Sequence, residues 1–305
     1  MRLLSILTTL TCSILLSITA VSAQQAPKWQ LEEINDNSIP PEIVKDTRAP
    51  APNSLPDGRI ATAKGDIVEA WYSEPTTRYG HGVLGDAIEA GALRVKNNRG
   101  ETFTFRLPKN EVFEDITPRI ADLDGNGTNE VITILSSQSG GGSVAVFGLN
   151  GNAFIKVAQT PFIGRSNRWL NIAEITNFTG GRNPEISIVV TPHLAGLLGI
   201  FRLQNGNLQQ IFGASGFSNH FIGSNELRLS AAADVNGDGR PDLLIPSLSR
   251  NELVMIGIDK DKFSELARVS LPARIDRAIG TREKEEVFEI ILGLDDGKTY
   301  RVIAE

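Results

Sequence analysis

Short runs of alternating hydrophobic and polar residues recur along most of the chain, separated by turn-forming residues. Two pairs of runs flank Asn150-Gly151 and Asn205-Gly206. An Asn-Gly dipeptide between such runs is a strong β-hairpin signal, because both residues accept the positive φ angles of a tight turn. The four pairs of runs lie at 92–105, 144–157, 198–211 and 253–266. The pattern therefore predicts an all-β protein built from hairpins.

A second segment, rich in glycine and acidic residues, recurs between these hairpins. The segment at 120–134 matches the segment at 232–246 position by position, and the one at 175–189 keeps the frame with fewer acids. A fainter copy lies at 279–291 and a shortened one at 60–68. Copies at intervals of about 47 to 64 residues indicate a repeat architecture. Each repeat then contains two hairpins, which make one four-stranded propeller blade.

The repeats predict a β-propeller of five four-stranded blades. The last blade lacks one strand, because the chain ends after the run at 298–305. The alternating run at 28–34 can supply that strand, and the pairing would close the ring and remove two open sheet edges. We therefore expect a closing strand and a proline-rich connector within 24–58, followed by the propeller over 59–305.

The two most acidic copies place oxygen-bearing side chains on alternate residues, with glycines that permit a tight loop between them. Thr128 and Arg240 would contribute main-chain carbonyls. Several carboxylates with amide and carbonyl oxygens suit calcium far better than zinc or copper. The sequence therefore predicts two calcium sites. Their candidate ligands are Asp122, Asp124, Asn126, Thr128 and Glu130 in the first, and Asp234, Asn236, Asp238, Arg240 and Asp242 in the second.

Two other interpretations of these loops compete with the calcium sites. An EF-hand requires glutamate at its twelfth position and helical flanks, but that position holds Thr133 or Ile245 and the flanks read as strands. The second interpretation is a solvated acidic turn without an ion, and the presence of two in-frame copies argues against it. The copies at 175–189 and 279–291 lack the full ligand set, so we expect no ion there. The glutamates of the latter, Glu289 included, would form a solvated surface.

The segment Asp-x-Asn-Gly-Asp-Gly-Arg-Pro-Asp-Leu at 234–243 and its relative at 122–131 resemble the FG-GAP/VCBS-type repeats. Such repeats occur in secreted bacterial propellers and in the head of integrin α-subunits. The resemblance covers most of 59–305, with a specific loop motif in two copies and a degraded one in three. It implies a calcium-supported β-propeller with the ion on the hairpin that joins the first two strands of a blade. It implies no particular reaction.

Composition and the N-terminus narrow the class further. Of 305 residues 41% are hydrophobic, which supports a sizeable core, and 36 acidic against 30 basic residues give no basic patch for nucleic acid.

Residues 1–23 carry one positive charge, an apolar stretch and a closing Val-Ser-Ala, which predict a cleaved signal peptide rather than a membrane anchor. Cleavage would remove the single cysteine, Cys12. We expect a periplasmic or secreted protein without disulfides and without a later membrane span.

The three histidines fall in loops at the strand ends opposite the acidic loops, and loops on a rigid scaffold often carry binding residues. The partner-binding candidates are Arg78, Tyr79, His81, Arg168, Trp169, His193 and His220, with Arg165 and Arg250 nearby. We expect a non-catalytic adhesion module that binds a protein or polysaccharide. The alternatives are a small hydrolase or lyase that uses these histidines, and a structural component of the envelope. No carboxylate pairs visibly with a histidine and no catalytic motif is present, which argues against an enzyme.

Overall fold

The computed structural model describes residues 28–35, 39–259 and 262–305, so the predicted signal peptide lies outside the described residues. Within these ranges the chain forms β-strands joined by turns, with one helix of four residues. No helix in the described ranges has both the length and the apolar character needed to cross a membrane. The all-β prediction is confirmed.

The chain begins with β1 (Trp29–Ile34) and α1 (Pro41–Val44). The strands that follow form four consecutive groups of four and a last group of three that β1 completes, with one further short strand between the first two groups. Sheet I contains β2 (Ala61–Thr62), β3 (Ile67–Thr76), β4 (Glu89–Asn97) and β5 (Thr102–Arg106), and β6 (Glu111–Phe113) follows it. Sheet II contains β7 (Arg119–Ala121), β8 (Glu130–Ser137), β9 (Gly141–Asn150) and β10 (Ala153–Gln159). Sheet III contains β11 (Leu170–Thr176), β12 (Glu185–Val190), β13 (Leu197–Gln204) and β14 (Asn207–Ser215).

Sheet IV contains β15 (Ala231–Ala233), β16 (Asp242–Pro246), β17 (Glu252–Asp259) and β18 (Lys262–Ser270). Sheet V contains β19 (Ile275–Lys284), β20 (Val287–Leu294), β21 (Thr299–Ala304) and β1. Pairing is antiparallel throughout each group, as expected for strands joined by short hairpin turns. The third and fourth strands of sheets I to IV correspond to the four hairpins that the sequence predicts.

Sheets I and II are the two halves of one nine-stranded sheet, which the sequence analysis did not predict. Strand β6 connects them, because Phe113 pairs with Ala90 of β4 on one side and with Leu135 of β8 on the other. Phe113 is completely buried between them. A strand of three residues is too short for an alternating pattern to reveal it.

The N-terminal strand completes sheet V, as the sequence predicts. Strand β1 pairs antiparallel with β21, the last strand of the chain, with Leu31 opposite Val302. An ion pair of 2.7 Å between Arg301 Nη2 and Glu32 Oε2 reinforces the register. Residues from opposite ends of the sequence therefore share one sheet.

The core consists of separate apolar clusters, four of which lie between consecutive sheets. A fifth, smaller cluster packs Ile43 of α1 and Ile34 of β1 against Ile291 of sheet V. The helix α1 therefore packs on sheet V through Ile43. Fully buried members of the four larger clusters include Tyr72 and Phe147 (sheets I and II), Ile134 and Ile186 (II and III), Leu198 and Leu243 (III and IV), and Met255 and Ile290 (IV and V).

Candidate functional site

The loop between β7 and β8 gathers three of its predicted calcium ligands. Carboxylate oxygens of Asp122, Asp124 and Glu130 all lie within 4.8 Å of one another. Calcium binds oxygen ligands at about 2.3–2.6 Å, so ligand atoms of a single ion stand up to about 5 Å apart. The spacing and chemistry of these carboxylates therefore fit one calcium ion.

Backbone amides shape this loop around Asp122. Its carboxylate accepts hydrogen bonds from the amides of Gly125, Asn126 and Gly127 at 2.8, 3.2 and 2.9 Å. The two glycines have φ angles of 71° and 88°, which side chains resist. Glu130, the first residue of β8, accepts a hydrogen bond of 2.8 Å from the amide of Leu123. A carboxylate has about four lone-pair sites, so these bonds leave capacity for an ion.

The carboxylates of this loop lie close together without a basic partner. No ion pair to Asp122, Asp124 or Glu130 forms within residues 39–259 or the other described segments. Burial, followed by the negative charges of Asp124 and Asp122, raises the pKa of Glu130 to about 7. A cation in the loop would relieve this repulsion and favour the ionised form.

The loop between β15 and β16 has the same backbone arrangement around Asp234. That carboxylate accepts hydrogen bonds from the amides of Gly237 and Gly239, and Asp242 accepts one of 3.0 Å from the amide of Val235. Burial, with nearby acidic charges, raises the pKa of Asp242 to about 6.

The remaining predicted ligands are engaged within the two loops. In the second loop, Asp238 pairs with the Arg240 guanidinium at 2.6 Å. The Asn236 amide donates a hydrogen bond of 3.4 Å to Asp242. In the first loop, the Asn126 side-chain oxygen accepts a hydrogen bond of 2.7 Å from the amide of Thr128. The loop of sheet II therefore presents a tighter carboxylate cluster than the loop of sheet IV, where one carboxylate faces an arginine.

Arginines neutralise the corresponding acid in sheets III and V. Glu185, the first residue of β12, is completely buried and pairs with the Arg202 guanidinium at 2.5 Å. Glu289 on β20 pairs with Arg282 at 2.5 Å and with Arg301. Burial opposes ionisation of Glu289, but hydrogen bonds from the two arginines outweigh it and lower its pKa. The expectation that Glu289 belongs to a solvated surface is therefore wrong, because its carboxylate is buried among arginines.

The strand register relates the four loops to one another. Gly148 pairs with Glu130 across β8 and β9, whereas Arg202 stands at the matching position beside Glu185. In sheet IV, Gly257 stands one residue beyond the Leu243–Ile256 pair, and a Cβ there would lie 3.1 Å from Asp242 Oδ1. The acid thus faces glycine where the loop has its full set of acids, and arginine in the degraded loop of sheet III.

Two histidines meet at the opposite strand ends. His193 Nε2 lies 2.8 Å from His220 Nδ1, and His220 Nε2 lies 2.8 Å from the carbonyl oxygen of Ser224. A carbonyl only accepts, so His220 donates from Nε2, and in the neutral ring its Nδ1 accepts from His193. Burial lowers the pKa of His193 to about 4 and that of His220 to about 3. Both rings are therefore neutral at physiological pH.

The third histidine has a carboxylate partner that the sequence analysis missed. His81 Nδ1 lies 2.6 Å from Glu114 Oε1, and Glu114 also accepts a hydrogen bond from Ser136. Glu114 is completely buried, and burial raises its pKa although His81 opposes the shift. The Trp169 indole donates to the Glu114 carbonyl at 3.0 Å. Sequence spacing gives no sign of this pair, because 33 residues separate its members.

The other predicted binding residues divide into buried and accessible groups. Tyr79, Trp169 and His220 are buried and form the wall of this region. The Arg78 guanidinium donates to the Glu111 carbonyl at 2.8 Å, which is a structural contact. Arg168 lines a cavity of about 160 Å³ with His81 and His193. We call the surface formed by this cavity and the three histidines the histidine face.

Comparison with known proteins adds little. No family model matches the chain, and no curated protein matches it. One solved structure, of a protein from Lactobacillus plantarum, is 10% identical with a TM-score of 0.47, over 82% of this chain and 71% of that chain. A likeness this distant carries no argument about function.

Proposed function

We propose that the protein is a five-bladed β-propeller that binds calcium in the loops of sheets II and IV, and that it acts as a non-catalytic binding module of the FG-GAP/VCBS type. Five groups of four antiparallel strands and the pairing of β1 with β21 support the propeller. First strands β2, β7 and β11 line one cavity of about 350 Å³, as strands around a propeller axis would.

The observation that supports the calcium proposal is that an arginine pairs with the buried acid of sheet III, whereas among the described residues no basic side chain pairs with the corresponding acid of sheet II. Glu185 is buried against Arg202, whereas Glu130 is equally placed in its sheet but faces Gly148 and two further acids. A buried carboxylate needs a compensating positive charge. In sheet III the chain supplies that charge, and in sheet II a bound calcium ion would supply it.

Calorimetric titration with calcium tests this proposal. We expect two ions per chain, and about one in Glu130→Gln or Asp242→Asn. Glu283→Gln, which removes an exposed acid from the degraded loop of sheet V, is the matched control and should still bind two. Extracellular calcium modules bind with dissociation constants as weak as about 10⁻⁴–10⁻³ M. Absence of binding at millimolar calcium would refute the proposal.

The histidine face is the proposed contact with a protein or polysaccharide partner. Its support is the combination of cavities with large exposed aliphatic side chains, since Leu194 and Ile222 are 59% and 69% exposed beside the histidines. Exposed apolar groups around a cavity are typical of interaction sites. The N-terminal sequence adds the proposal that this contact is made in the periplasm or outside the cell; cell fractionation checks that location.

A hydrolase or lyase is the second candidate, and the His81–Glu114 pair favours it. A buried carboxylate that orients a histidine is the arrangement of a general base and its positioning group. Hydrolysis of p-nitrophenyl esters by wild type and by His81→Ala provides a direct test. A binding module gives equal background rates, whereas turnover that the substitution abolishes would support the enzyme.

A further inference from the structure

A second, larger cavity of about 450 Å³ opens on the histidine face. The loops that follow β12, β14, β16 and β18 build its walls, so the cavity lies at the ends of sheets III and IV and reaches the connection into sheet V. Its volume falls within the range of small-molecule sites. The walls include His193 and His220, and the charged side chains among them are Arg250 and Arg274.

Several contacts hold Arg250 in place. Its φ angle of 61° lies in the left-handed region, which is unusual for a residue other than glycine. Its amide donates to the Ser247 carbonyl and its carbonyl accepts from the Ile275 amide, both at 2.8 Å. The guanidinium donates to the Ile275 carbonyl at 2.6 Å and lies 4.8 Å from the centre of the Phe221 ring. A backbone held in a sparsely populated conformation is a common feature of ligand sites.

The positive charge in this cavity has no direct counterpart. Among the described residues, neither Arg250 nor Arg274 forms an ion pair. Asp295 and Asp276 lie near enough to act on Arg250 through their charge, but Asp295 accepts a hydrogen bond from the Arg274 backbone amide and Asp276 faces Arg277 at 3.5 Å. A guanidinium carries five N–H donors, and one nitrogen of Arg250 donates to a carbonyl. The remaining donors are available to a ligand anion.

The other walls are uncharged or apolar. The two histidines are a neutral hydrogen-bonded pair, so they add neither a competing anion nor a further cation. Leu194, Ile222 and Leu248 stand at the opening with 59%, 69% and 41% of their surface exposed. Exposed aliphatic side chains beside a charged cavity favour a ligand with an apolar part.

We propose that this cavity binds an organic carboxylate with an apolar chain, the carboxylate at Arg250 and Arg274 and the chain against Phe221 and the exposed aliphatic residues. A guanidinium fork matches a carboxylate with two parallel hydrogen bonds, which gives both affinity and orientation. A neutral ligand would leave the arginines unpaired, and a bare inorganic anion would leave the aliphatic side chains exposed. The proposal rests on the binding role of the histidine face and adds a small-molecule ligand to the protein or polysaccharide partner proposed there.

Calorimetric titration of the purified protein with 4-phenylbutyrate tests the proposal. We expect binding at least tenfold tighter than that of 4-phenylbutanol, which lacks the charge, and of inorganic phosphate, which lacks the chain. Equal affinity for the alcohol would refute the arginine contact, and equal affinity for phosphate would refute the apolar contact. Calcium titrations of the same samples separate this result from a failure of the proposed calcium sites.

Arginine variants locate the contact. Arg250→Gln should weaken 4-phenylbutyrate binding at least tenfold and Arg274→Gln about threefold, whereas Arg99→Gln, at an exposed arginine in the turn between β4 and β5, should leave it unchanged. Because Arg274 is exposed, its replacement tests the proposal even if Arg250→Gln does not fold. The proposal would be overturned if Arg274→Gln bound 4-phenylbutyrate as tightly as the wild type and Arg250→Gln either did so too or did not fold.

Discussion

Opposite responses to charge removal should distinguish the loops of sheets II and III. Glu130 and Glu185 each begin the second strand of their sheet, but only Glu185 has an arginine partner. In EDTA, Arg202→Met should destabilise the protein because it leaves Glu185 buried and unpaired. Glu130→Gln should stabilise it, because that variant removes a buried charge which the chain leaves uncompensated.

The magnitudes follow from burial and from the pKa. Breaking a buried ion pair costs about 3–5 kcal/mol, and the lower end applies because 35% of the Arg202 side chain is exposed. A pKa of about 7 instead of the ordinary 4.5 means that the charged Glu130 lowers the free energy of unfolding by roughly 3 kcal/mol at pH 8, and Glu130→Gln should gain that amount. A weakened hydrogen bond to the Leu123 amide offsets about 1 kcal/mol of this gain.

Urea unfolding monitored by tryptophan fluorescence at pH 8 measures both effects. Calcium at a hundredfold excess over its dissociation constant should add about 2.7 kcal/mol per site to the wild type. The advantage of Glu130→Gln should then disappear, while the cost of Arg202→Met should persist. The double variant Arg202→Met/Glu185→Gln should recover most of that cost. Equal destabilisation by Arg202→Met and Glu130→Gln in EDTA would refute the exchange of arginine for calcium.

Three further predictions concern buried groups. Burial, then nearby acids, raises the pKa of Glu89 to about 9, so between about pH 4.5 and 9 only the folded state binds its proton. In urea titrations the free energy of unfolding should therefore fall, relative to Glu89→Gln, by about 1.4 kcal/mol for each unit by which the pH rises in this range. His220 is neutral when folded, so stability should fall on acidification from pH 6.5 to about 3, and His220→Gln should flatten that slope. Gly196→Ala should cost at least about 3 kcal/mol in thermal unfolding, because its Cβ would lie 1.9 Å from the Phe217 carbonyl at a φ of 56°.

The strand content was accessible from the sequence because its signals are local. The Asn205-Gly206 turn joins β13 to β14 as the hairpin pattern predicts, with Asn205 at a φ of 51° and Gly206 at 73°. The pairing of β1 with β21 was accessible for another reason: the last repeat is one strand short, and only one alternating run near the N-terminus can supply it. Strand β6 was missed because its pairing depends on two neighbouring sheets rather than on its own pattern.

The acidic loop of sheet II could likewise be predicted from the sequence, because all its carboxylates fall within nine consecutive residues. The contacts of Glu185 were not, because Arg202 stands on the next strand and only the register brings it to the acid. The same limit hid the partner of His81, since Glu114 belongs to another loop. Sequence patterns therefore identify sites made by one turn, whereas sites made by several turns require the register of the sheets.

Strand β16 connects the proposed calcium loop of sheet IV to the proposed carboxylate site at the opposite strand ends. It starts at Asp242, a proposed calcium ligand, ends at Pro246, and leads within four residues to Arg250 of the proposed carboxylate site. Its five residues span about 17 Å, so both sites depend on the same short buried strand while remaining out of contact. An ion at one end would fix the start of this strand, and the strained backbone of Arg250 is held at the other. The loops that bind calcium would thus supply rigidity, and the loops at the opposite strand ends, which vary from sheet to sheet, would supply recognition.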